Sequence, residues 1–324
     1  MIEQSVANHP NDRRAVKALI KRWFEGWING SFQLGDFAAE SQFFSSHHGH
    51  AKGGDAITKS LLRDTANGPM LGQFSNVYVA TLNDKAIASF YLFGLMGTSN
   101  ANLFLFGSTQ VIEFSKVQDS WKIDTIRLVV NWSKGDSSQV SHWRNLPVQN
   151  GWQIGFEAPA MISELHSPWA VFPEVLPPED LQEALEELYF RYAFAVDQND
   201  MMLLKSAYSE DISGGFAPVG NLNGRDQVIG TLKNFRHLAT YWQHFAEVVR
   251  YEEEPDGQHV KMIVARIIPE RPVDESGQKV YGAHYQLRAR KTASGQWQFC
   301  WTDYRPGWFD QYSLPEFDVG NATA

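Results

Sequence analysis

The chain has 324 residues, a formal net charge of −9 and one cysteine, Cys300. At about 150 residues per domain this length predicts two domains, and 43% hydrophobic residues supply enough apolar material for two cores. The acidic balance argues against a nucleic-acid backbone or an anionic membrane surface as partner, since both need a basic footprint. A lone cysteine excludes an intrachain disulfide and fits the cytoplasm. The N-terminus has no apolar core of the kind that a signal peptide requires. No run of about 18 apolar residues occurs, so no membrane-spanning segment is predicted.

The first half begins with a predicted helix, AVKALIKRWFEGWI, whose apolar residues recur at helical spacing: Val16, Leu19, Ile20, Trp23 and Trp27. A second helical segment, GGDAITKSLLRD, starts at Gly53. Three β-branched and aromatic runs follow and predict strands: NVYVATL, AIASFYLFGLM and ANLFLFGSTQVIEF. The first half therefore predicts helices followed by a sheet.

The second half repeats this order of elements. LQEALEELYFRYAFAV predicts the first helix, and GRDQVIGTLKNF, from Gly224, matches the second. VYGAHYQLRAR alternates apolar with polar residues, the period of a strand with one buried face. Trp297 and Trp308 in WQFCWTDYRPGW have the same separation as Trp121 and Trp132 in WKIDTIRLVVNW. Such an internal repeat predicts two copies of one α+β domain.

The repeat divides the chain into a first domain, a linker, a second domain and a tail, at residues 1–136, 137–178, 179–312 and 313–324. Several prolines and little periodicity mark the linker. Its aromatic residues predict that it packs on the domains: Trp143, Trp152, Trp169 and Phe172.

Helices followed by a run of strands, present twice, resemble the SnoaL-like or nuclear-transport-factor-two-like superfamily. The resemblance covers roughly residues 12–135 and 179–310. It implies two tandem cone-shaped domains, each with helices packed on a curved antiparallel sheet. Dehydratases, isomerases, cyclases, hydrolases and pure binding domains share this fold, so the resemblance implies the fold more strongly than an activity.

The second half is similar to the dehydratase-type members, such as scytalone dehydratase and bile-acid dehydratases. Their pattern has a Tyr and an Asp on the first helix, a His after the helix that precedes the sheet, and often an Arg late in the sheet. Tyr192, Asp197 and His244 match the first three positions, and Arg305 is the candidate for the fourth. The resemblance therefore implies that Tyr192, Asp197 and His244 are catalytic.

The residues around Asp197 support a site independently of the resemblance. In YFRYAFAVDQND the last two helical turns are apolar nearly all round, which predicts burial. A buried carboxylate needs a partner or a raised pKa, and an Asp that holds one imidazole nitrogen makes the other a general base. DQND is also good turn sequence, so Asp197 or Asp200 alternatively ends one helix or caps the next. Tyr192 is alternatively a core tyrosine, and His244 a packed or surface histidine.

Strand alternation extends the candidate site into the sheet. In WQFCWTDYR it places these residues on one face: Trp297, Phe299, Trp301, Asp303 and Arg305. We therefore expect Trp301, Asp303 and Arg305 to bind substrate at the mouth of a pocket. His284 lies on the polar face of its own strand and joins them if a bulge turns it inward.

No cofactor or metal is predicted. His47, His48 and His50 in SSHHGHAKGG lack the spacing of a known metal site and indicate a mobile loop. Patterns typical of nucleotide binding are absent from the sequence. Nothing singles out Cys300 as a nucleophile.

The first half does not repeat the candidate site. At the positions that match the acid and the base it has other residues: Ile28 or Ser31, and Gln73. Alternation places Arg127 on one face with Trp121 and Ile123, so a basic group remains there, but no acid–base pair does. We expect a degenerate copy with a structural or substrate-shaping role.

These observations predict a cofactor-independent lyase or isomerase, similar to a dehydratase, that acts by His–Asp acid–base chemistry. The aromatic content favours a small hydrophobic carbonyl substrate, polycyclic or aromatic. The alternative is a non-catalytic module of the same fold that binds a small molecule or assembles with proteins. Two tandem units also suit an intrachain pseudo-dimer or a homo-oligomer, and no nucleic-acid or membrane partner is expected.

Overall fold

The computed structural model describes residues 8–66, 68, 70–97, 102–144, 155, 158–238 and 243–319. The chain forms two compact units, Met1–Val175 and Leu176–Ala324. Most of the segment predicted as a linker belongs to the first unit, where Trp143 is buried and Trp169 stacks on Tyr78 with ring centroids 4.6 Å apart. Trp152 lies outside the described residues. No helix in the described ranges is long and apolar enough to cross a membrane.

The first unit is a six-stranded sheet with helices. Its elements are α1 (Pro10–Asn29), β1 (Phe37–Ser45), β2 (Gly49–Lys52), α2 (Gly54–Leu61), β3 (Leu71–Leu82), β4 (Lys85–Met96), β5 (Phe104–Val117), β6 (Ser120–Gly135) and α3 (Pro168–Val171). The strand order is β2-β1-β6-β5-β4-β3. Pro10 starts α1 with its φ already helical, and Gly30 ends it in the left-handed conformation at φ 65°.

The second unit repeats this architecture. Its elements are α4 (Leu181–Asp197), α5 (Met201–Ala207), β7 (Tyr208–Phe216), β8 (Gly220–Asn223), α6 (Arg225–Leu238), β9 (Ala246–Glu253), β10 (His259–Arg266), β11 (Val280–Lys291) and β12 (Trp297–Asp310). The strand order, β8-β7-β12-β11-β10-β9, is that of the first sheet. Helices packed on one sheet in each half confirm the α+β class.

Each sheet also contains a short hairpin that the sequence pattern did not predict. It lies between the helices, as β1–β2 in one unit and β7–β8 in the other. The outer strand of each hairpin has only four residues, too few to show a period. The inner strands pair in parallel with β6 and β12, whereas the other pairs are antiparallel. Parallel pairing needs a long connection, which the intervening helix and strands provide.

The long strands β6 and β12 both carry a β-bulge at the same position of the repeat. Asp124 has no partner on β5, and Cys300 has none on β11. Each lies three residues after the tryptophan that leads its strand, Trp121 or Trp297. One extra residue moves the side chains that follow to the opposite face of the sheet, as far as the next irregularity of the strand. The bulges therefore decide which residues of β6 and β12 face the helices.

The interiors of the two units differ in chemistry. Fully buried phenylalanines and tryptophans fill the first: Trp23, Trp27, Phe43, Phe90, Phe104, Phe106 and Phe114. Tyrosines between helix and sheet distinguish the second: Tyr189, Tyr192, Tyr208, Tyr285 and Tyr304. A tyrosine hydroxyl needs a hydrogen-bond partner when it is buried, and a phenylalanine ring does not.

Candidate functional site

Asp197 and His244 form a buried ion-pair geometry in the second unit. Asp197 ends α4, and His244 precedes β9. The Asp197 Oδ1 atom lies 2.7 Å from Nδ1 of His244, and the main-chain N–H of His244 donates to Oδ2 at 2.8 Å. The Asp197 side chain is 0% exposed and that of His244 10%. A carboxylate on Nδ1 fixes the tautomer that has its proton there, which makes Nε2 the basic nitrogen.

Asp200, three residues later, has the different role that the turn sequence suggested. It is the N-cap of α5, and its side chain accepts the main-chain N–H of Leu203 at 2.9 Å. The last turns of α4 are buried, including Phe194 and Val196. The apolar surroundings of Asp197 thus follow from the sequence pattern.

Tyr192 lies beside this pair. Its ring makes an edge contact with the His244 ring, with centroids 5.7 Å apart. Its hydroxyl is hydrogen-bonded to those of Tyr208 and Tyr285. Burial raises the pKa of Tyr192 well above its usual value, so the hydroxyl keeps its proton at neutral pH. Tyr192, Asp197 and His244 are therefore brought together.

Arg266, at the end of β10, is a site residue that the sequence reasoning missed. Its Nη2 donates to the main-chain oxygen of Gln243 at 2.9 Å, and Nη1 lies 3.4 Å from the Tyr285 hydroxyl. Gln243 is the residue before His244, so Arg266 fixes the main chain next to the imidazole. One signal was present: Arg266 is the single charge in the apolar run MIVARII, and a cation there needs partners inside the fold.

The electrostatics of Arg266 keep it charged. Burial acts to lower its pKa, but the nearby hydroxyls of Tyr189, Tyr285 and Tyr304 and the Asp197 carboxylate outweigh burial and raise the pKa above its usual value. Tyr285 and Tyr304 are cross-strand partners with ring centroids 5.0 Å apart. The site therefore combines a fixed cation, a carboxylate, an imidazole and several phenols.

Arg305 lies on the opposite face of the sheet from this site. After the bulge at Cys300, Tyr304 pairs with Tyr285 and Arg305 pairs with His284. Cross-strand partners share a face, so Tyr304 faces the helices and Arg305 faces away. The prediction that Arg305 continues the face of Trp297 is therefore wrong, because alternation holds only while the strand has no bulge.

The other two β12 residues predicted to contact substrate lie on the same face of the sheet as Arg305. Trp301 and Asp303 pair with Arg288 and Gln286 on that face. Asp303 and Asp318 bind Arg305 at 2.8 and 3.0 Å. Both carboxylates raise the pKa of Arg305, and the effect of Asp303 is the larger.

His284 is buried on this same face. Its ring makes an edge contact with Phe309, at a centroid distance of 5.5 Å. Burial lowers the pKa of His284. The structure does not bring His284, Trp301, Asp303 or Arg305 to the Asp197–His244 pair.

The first unit contains an acid–base cluster, contrary to expectation. Oδ1 of Asp64 accepts from Nε2 of His142 at 2.6 Å and from the indole of Trp143 at 2.9 Å. Oδ2 accepts from the indole of Trp27 and from Nε2 of His48, both at 2.9 Å. Burial acts to raise the pKa of Asp64, but His48 and the other donors lower it below its usual value. The cluster was missed because Asp64 and His142 lie outside the positions that match the second-half pair.

His47 and His48 are packed in the turn between β1 and β2, so the prediction of a mobile loop is wrong. The His48 side chain is 1% exposed, and its Nδ1 lies 2.8 Å from the Ser45 hydroxyl. His47 pairs with the Ser46 hydroxyl at 2.7 Å, and burial, with a smaller effect from His48, lowers its pKa to about 4. His50 packs its ring against Phe44. Contacts to Asp64 and aromatic rings fix the turn.

Arg127 also departs from the expected face. The bulge at Asp124 turns it to the side of Phe44, over whose ring its guanidinium lies at 4.9 Å. Alternation failed here for the reason that it failed at Arg305.

Within the described ranges one group of side chains has metal-ligand spacing: Glu254 and Asp256 in the turn after β9, and His259 at the start of β10. Arg288 binds both carboxylate oxygens of Glu254 at 2.7 Å. A guanidinium in that place opposes a metal cation.

Residues 180–303 match the family of SnoaL-like domains. Similar solved structures include an NTF2-like protein of unknown function from Pseudomonas putida, with 16% identity over 37% of this chain and 87% of that chain, at a TM-score of 0.33. The hexachlorocyclohexane dehydrochlorinase LinA-type3 from Novosphingobium barchaimii has 14% identity over 38% and 89%, at 0.34. A protein provisionally named scytalone dehydratase, from Novosphingobium aromaticivorans, has 14% identity over 38% and 87%, at 0.34.

The curated proteins include no match to the chain. At these identities and TM-scores, the solved structures support no argument about the residues or the activity of this chain. The family match spans α4 and most of the second sheet, including Tyr192, Asp197, His244 and Arg266. The segment that holds the Asp197–His244 pair therefore matches the family of SnoaL-like domains.

Proposed function

We propose that the second unit is a cofactor-independent lyase or isomerase in which His244 removes a proton from a carbon next to a carbonyl group. One observation carries the proposal: a fully buried carboxylate binds both Nδ1 and the main-chain N–H of His244. This arrangement orients the imidazole and stabilises its protonated form, as a general base requires.

In the proposed reaction Nε2 of His244 takes the α-proton. The electrons of the C–H bond form a carbon–carbon double bond, and the carbonyl π electrons move onto oxygen to give an enolate. The Asp197 carboxylate stabilises the imidazolium that results. In a dehydration, His244 then returns the proton to a hydroxyl on the β-carbon, which leaves as water while the carbonyl re-forms. In an isomerisation, the proton returns to a different carbon.

The walls of the site favour a hydrophobic substrate. The rings of Tyr208 and Phe299 lie 5.8 and 6.1 Å from that of Tyr192, which in turn lies against His244. Aromatic side chains with a few polar groups are typical of sites for small apolar molecules. The Tyr192 hydroxyl would bind an oxygen of a substrate that lies against His244.

Deuterium exchange at carbon tests this proposal without knowledge of the natural substrate. The protein is incubated in D₂O with cyclic and aromatic ketones, and mass spectrometry measures deuterium at the α-carbon. We expect exchange catalysed by the wild type and reduced at least about 100-fold in His244→Ala, the usual range for loss of a general base. His284→Gln, on the opposite face of the sheet, is the control and should exchange normally.

Unchanged exchange in His244→Ala would contradict the proposal. A second candidate function, a non-catalytic small-molecule-binding module, is favoured by the same buried polar groups. Binding of carbonyl compounds or phenols without exchange by the wild type would support it.

A further inference from the structure

Several buried donors in the second unit have no acceptor among the described residues, and two of them lie near the Asp197–His244 pair. These two are the Tyr189 hydroxyl and the Nε–H of Arg266. Tyr189 is 0% exposed, and the Nε atom of Arg266 is buried although its side chain reaches the surface in part. Buried donors are nearly always paired, because an unmade hydrogen bond inside a protein is costly. Two such donors near one candidate site are groups that a bound ligand could satisfy.

Both donors lie next to the Asp197–His244 pair. Tyr189 is one helical turn before Tyr192, with ring centroids 5.6 Å apart, and Tyr192 contacts His244. Arg266 holds the main-chain oxygen of Gln243, the neighbour of His244 in the chain. Tyr189 and Arg266 also share a neighbour: the Tyr285 ring lies 5.9 Å from that of Tyr189, and the Tyr285 hydroxyl lies 3.4 Å from Nη1 of Arg266. An acceptor bound by the two donors therefore lies beside the proposed base.

The two donors differ in charge in a way that selects the ligand. Arg266 is a cation, and Tyr189 is a neutral O–H, because burial raises its pKa well above the usual value. Charge-assisted donors bind an anionic oxygen more strongly than a neutral one. Such a pair stabilises charge that develops on an oxygen during a reaction.

We propose that Tyr189 and Arg266 form a subsite for one substrate oxygen, the carbonyl oxygen that becomes the enolate oxygen when His244 removes the α-proton. This inference rests on the proposed function and names the substrate class: compounds whose enolate oxygen lies on or next to a hydrophobic ring. The proton moves from the α-carbon to Nε2 of His244, and the negative charge moves to the oxygen held by Tyr189 and Arg266.

Phenolate binding tests the subsite directly, since a phenolate presents one anionic oxygen on a flat ring. The probe is para-nitrophenol, whose ionised form absorbs at a longer wavelength than its neutral form. We expect the wild type to bind the phenolate, and Tyr189→Phe and Arg266→Gln each to weaken binding about tenfold or more, the effect of one lost hydrogen bond to a charged group. Nitrobenzene, which lacks this oxygen, should bind the wild type and both variants alike.

Two variants make the test specific. Tyr189→Phe removes a hydroxyl that has no partner in the described part of the chain, so its unfolding midpoint in urea should be unchanged or higher while phenolate binding weakens. A structural role for the hydroxyl predicts the reverse. Arg305→Gln removes a guanidinium from the opposite face of the sheet and should bind the phenolate as the wild type does.

The outcomes separate the subsite from the proposed function. Equal phenolate affinity in the wild type and Tyr189→Phe, or no phenolate binding by the wild type, would overturn the subsite. His244→Ala should keep phenolate binding and lose α-proton exchange. Phenolate binding that depends on Tyr189 and Arg266, in a wild type without exchange, would support the subsite and contradict the lyase or isomerase. Normal exchange, together with phenolate binding that does not depend on Tyr189 or Arg266, would support the lyase or isomerase and contradict the subsite.

Discussion

Replacing Asp197 by Asn should disable His244 while leaving it in place. The amide oxygen can still accept the main-chain N–H of His244, which Asp197 binds at 2.8 Å. The amide NH₂ then meets Nδ1, which the carboxylate binds at 2.7 Å. Because NH₂ is a donor, Nδ1 must become the acceptor, and the ring proton moves to Nε2. His244 then has no basic nitrogen facing the substrate.

Two magnitudes follow from this geometry. A hydrogen bond to a charged group contributes about 1.5–3 kcal/mol and one between neutral groups about 0.5–1.5 kcal/mol, and Asp197→Asn replaces two of the first kind by two of the second. We therefore expect about 2–4 kcal/mol less stability in the second unit. Loss of the base should reduce α-proton exchange by about 100- to 10,000-fold, which corresponds to about 3–5 kcal/mol in the barrier.

The assay combines urea unfolding, followed by tryptophan fluorescence, with deuterium exchange on the same samples. Asp200→Asn is the matched control, three residues away. Asn caps a helix about as well as Asp, so stability should stay within about 0.5 kcal/mol of the wild type, with normal exchange. Wild-type exchange in Asp197→Asn would refute the claim that Asp197 sets the tautomer. An equal loss in both variants would refute the distinction between base partner and cap.

Two further predictions concern the first unit. Asp64→Asn points an amide NH₂ at two of the four N–H donors that the carboxylate now accepts, so two charge-assisted hydrogen bonds are lost. We expect the free energy of unfolding, measured in urea, to fall by about 3–6 kcal/mol. An equal effect in the exposed control Asp55→Asn would contradict the role of the cluster. The pKa of His47 is about 4 in the fold against 6.5 when exposed, so the unfolded chain binds more protons and stability should fall by up to about 3 kcal/mol as pH drops from 6.5 to 4. His47→Gln should flatten that dependence in urea titrations at several pH values, and an unchanged pH dependence would show that other groups cause it.

The sequence predicts the features that local pattern or internal repetition encodes. The repeat predicts two α+β units, and helical periodicity predicts the buried end of α4 around Asp197. The meeting of Asp197 with His244 does not follow from periodicity. That expectation came from resemblance to a dehydratase pattern, because the two residues are far apart in the chain.

Face assignments beyond the bulges could not be predicted. A bulge is one additional residue, and the residues around Cys300 or Asp124 continue to look like a regular strand. Arg305 and Arg127 were therefore expected on the wrong face. The Asp64 cluster escaped for a different reason: its donors come from α1, the turn after β1 and the segment after β6, and only tertiary packing brings them to one carboxylate.

The contrast between the two interiors shows that a small chemical difference separates a fully packed apolar core from one that can bind a ligand. Phenylalanine and tryptophan rings such as Phe90, Phe106 and Trp23 complete a core largely through contact with one another. A phenol adds a single oxygen to such a ring, and that oxygen is satisfied only by a partner. In the second unit the Tyr189 hydroxyl has no such partner among the residues that the structure describes. One oxygen atom per ring, with no change of strand order, is therefore enough to leave a buried polar group that a bound ligand can satisfy.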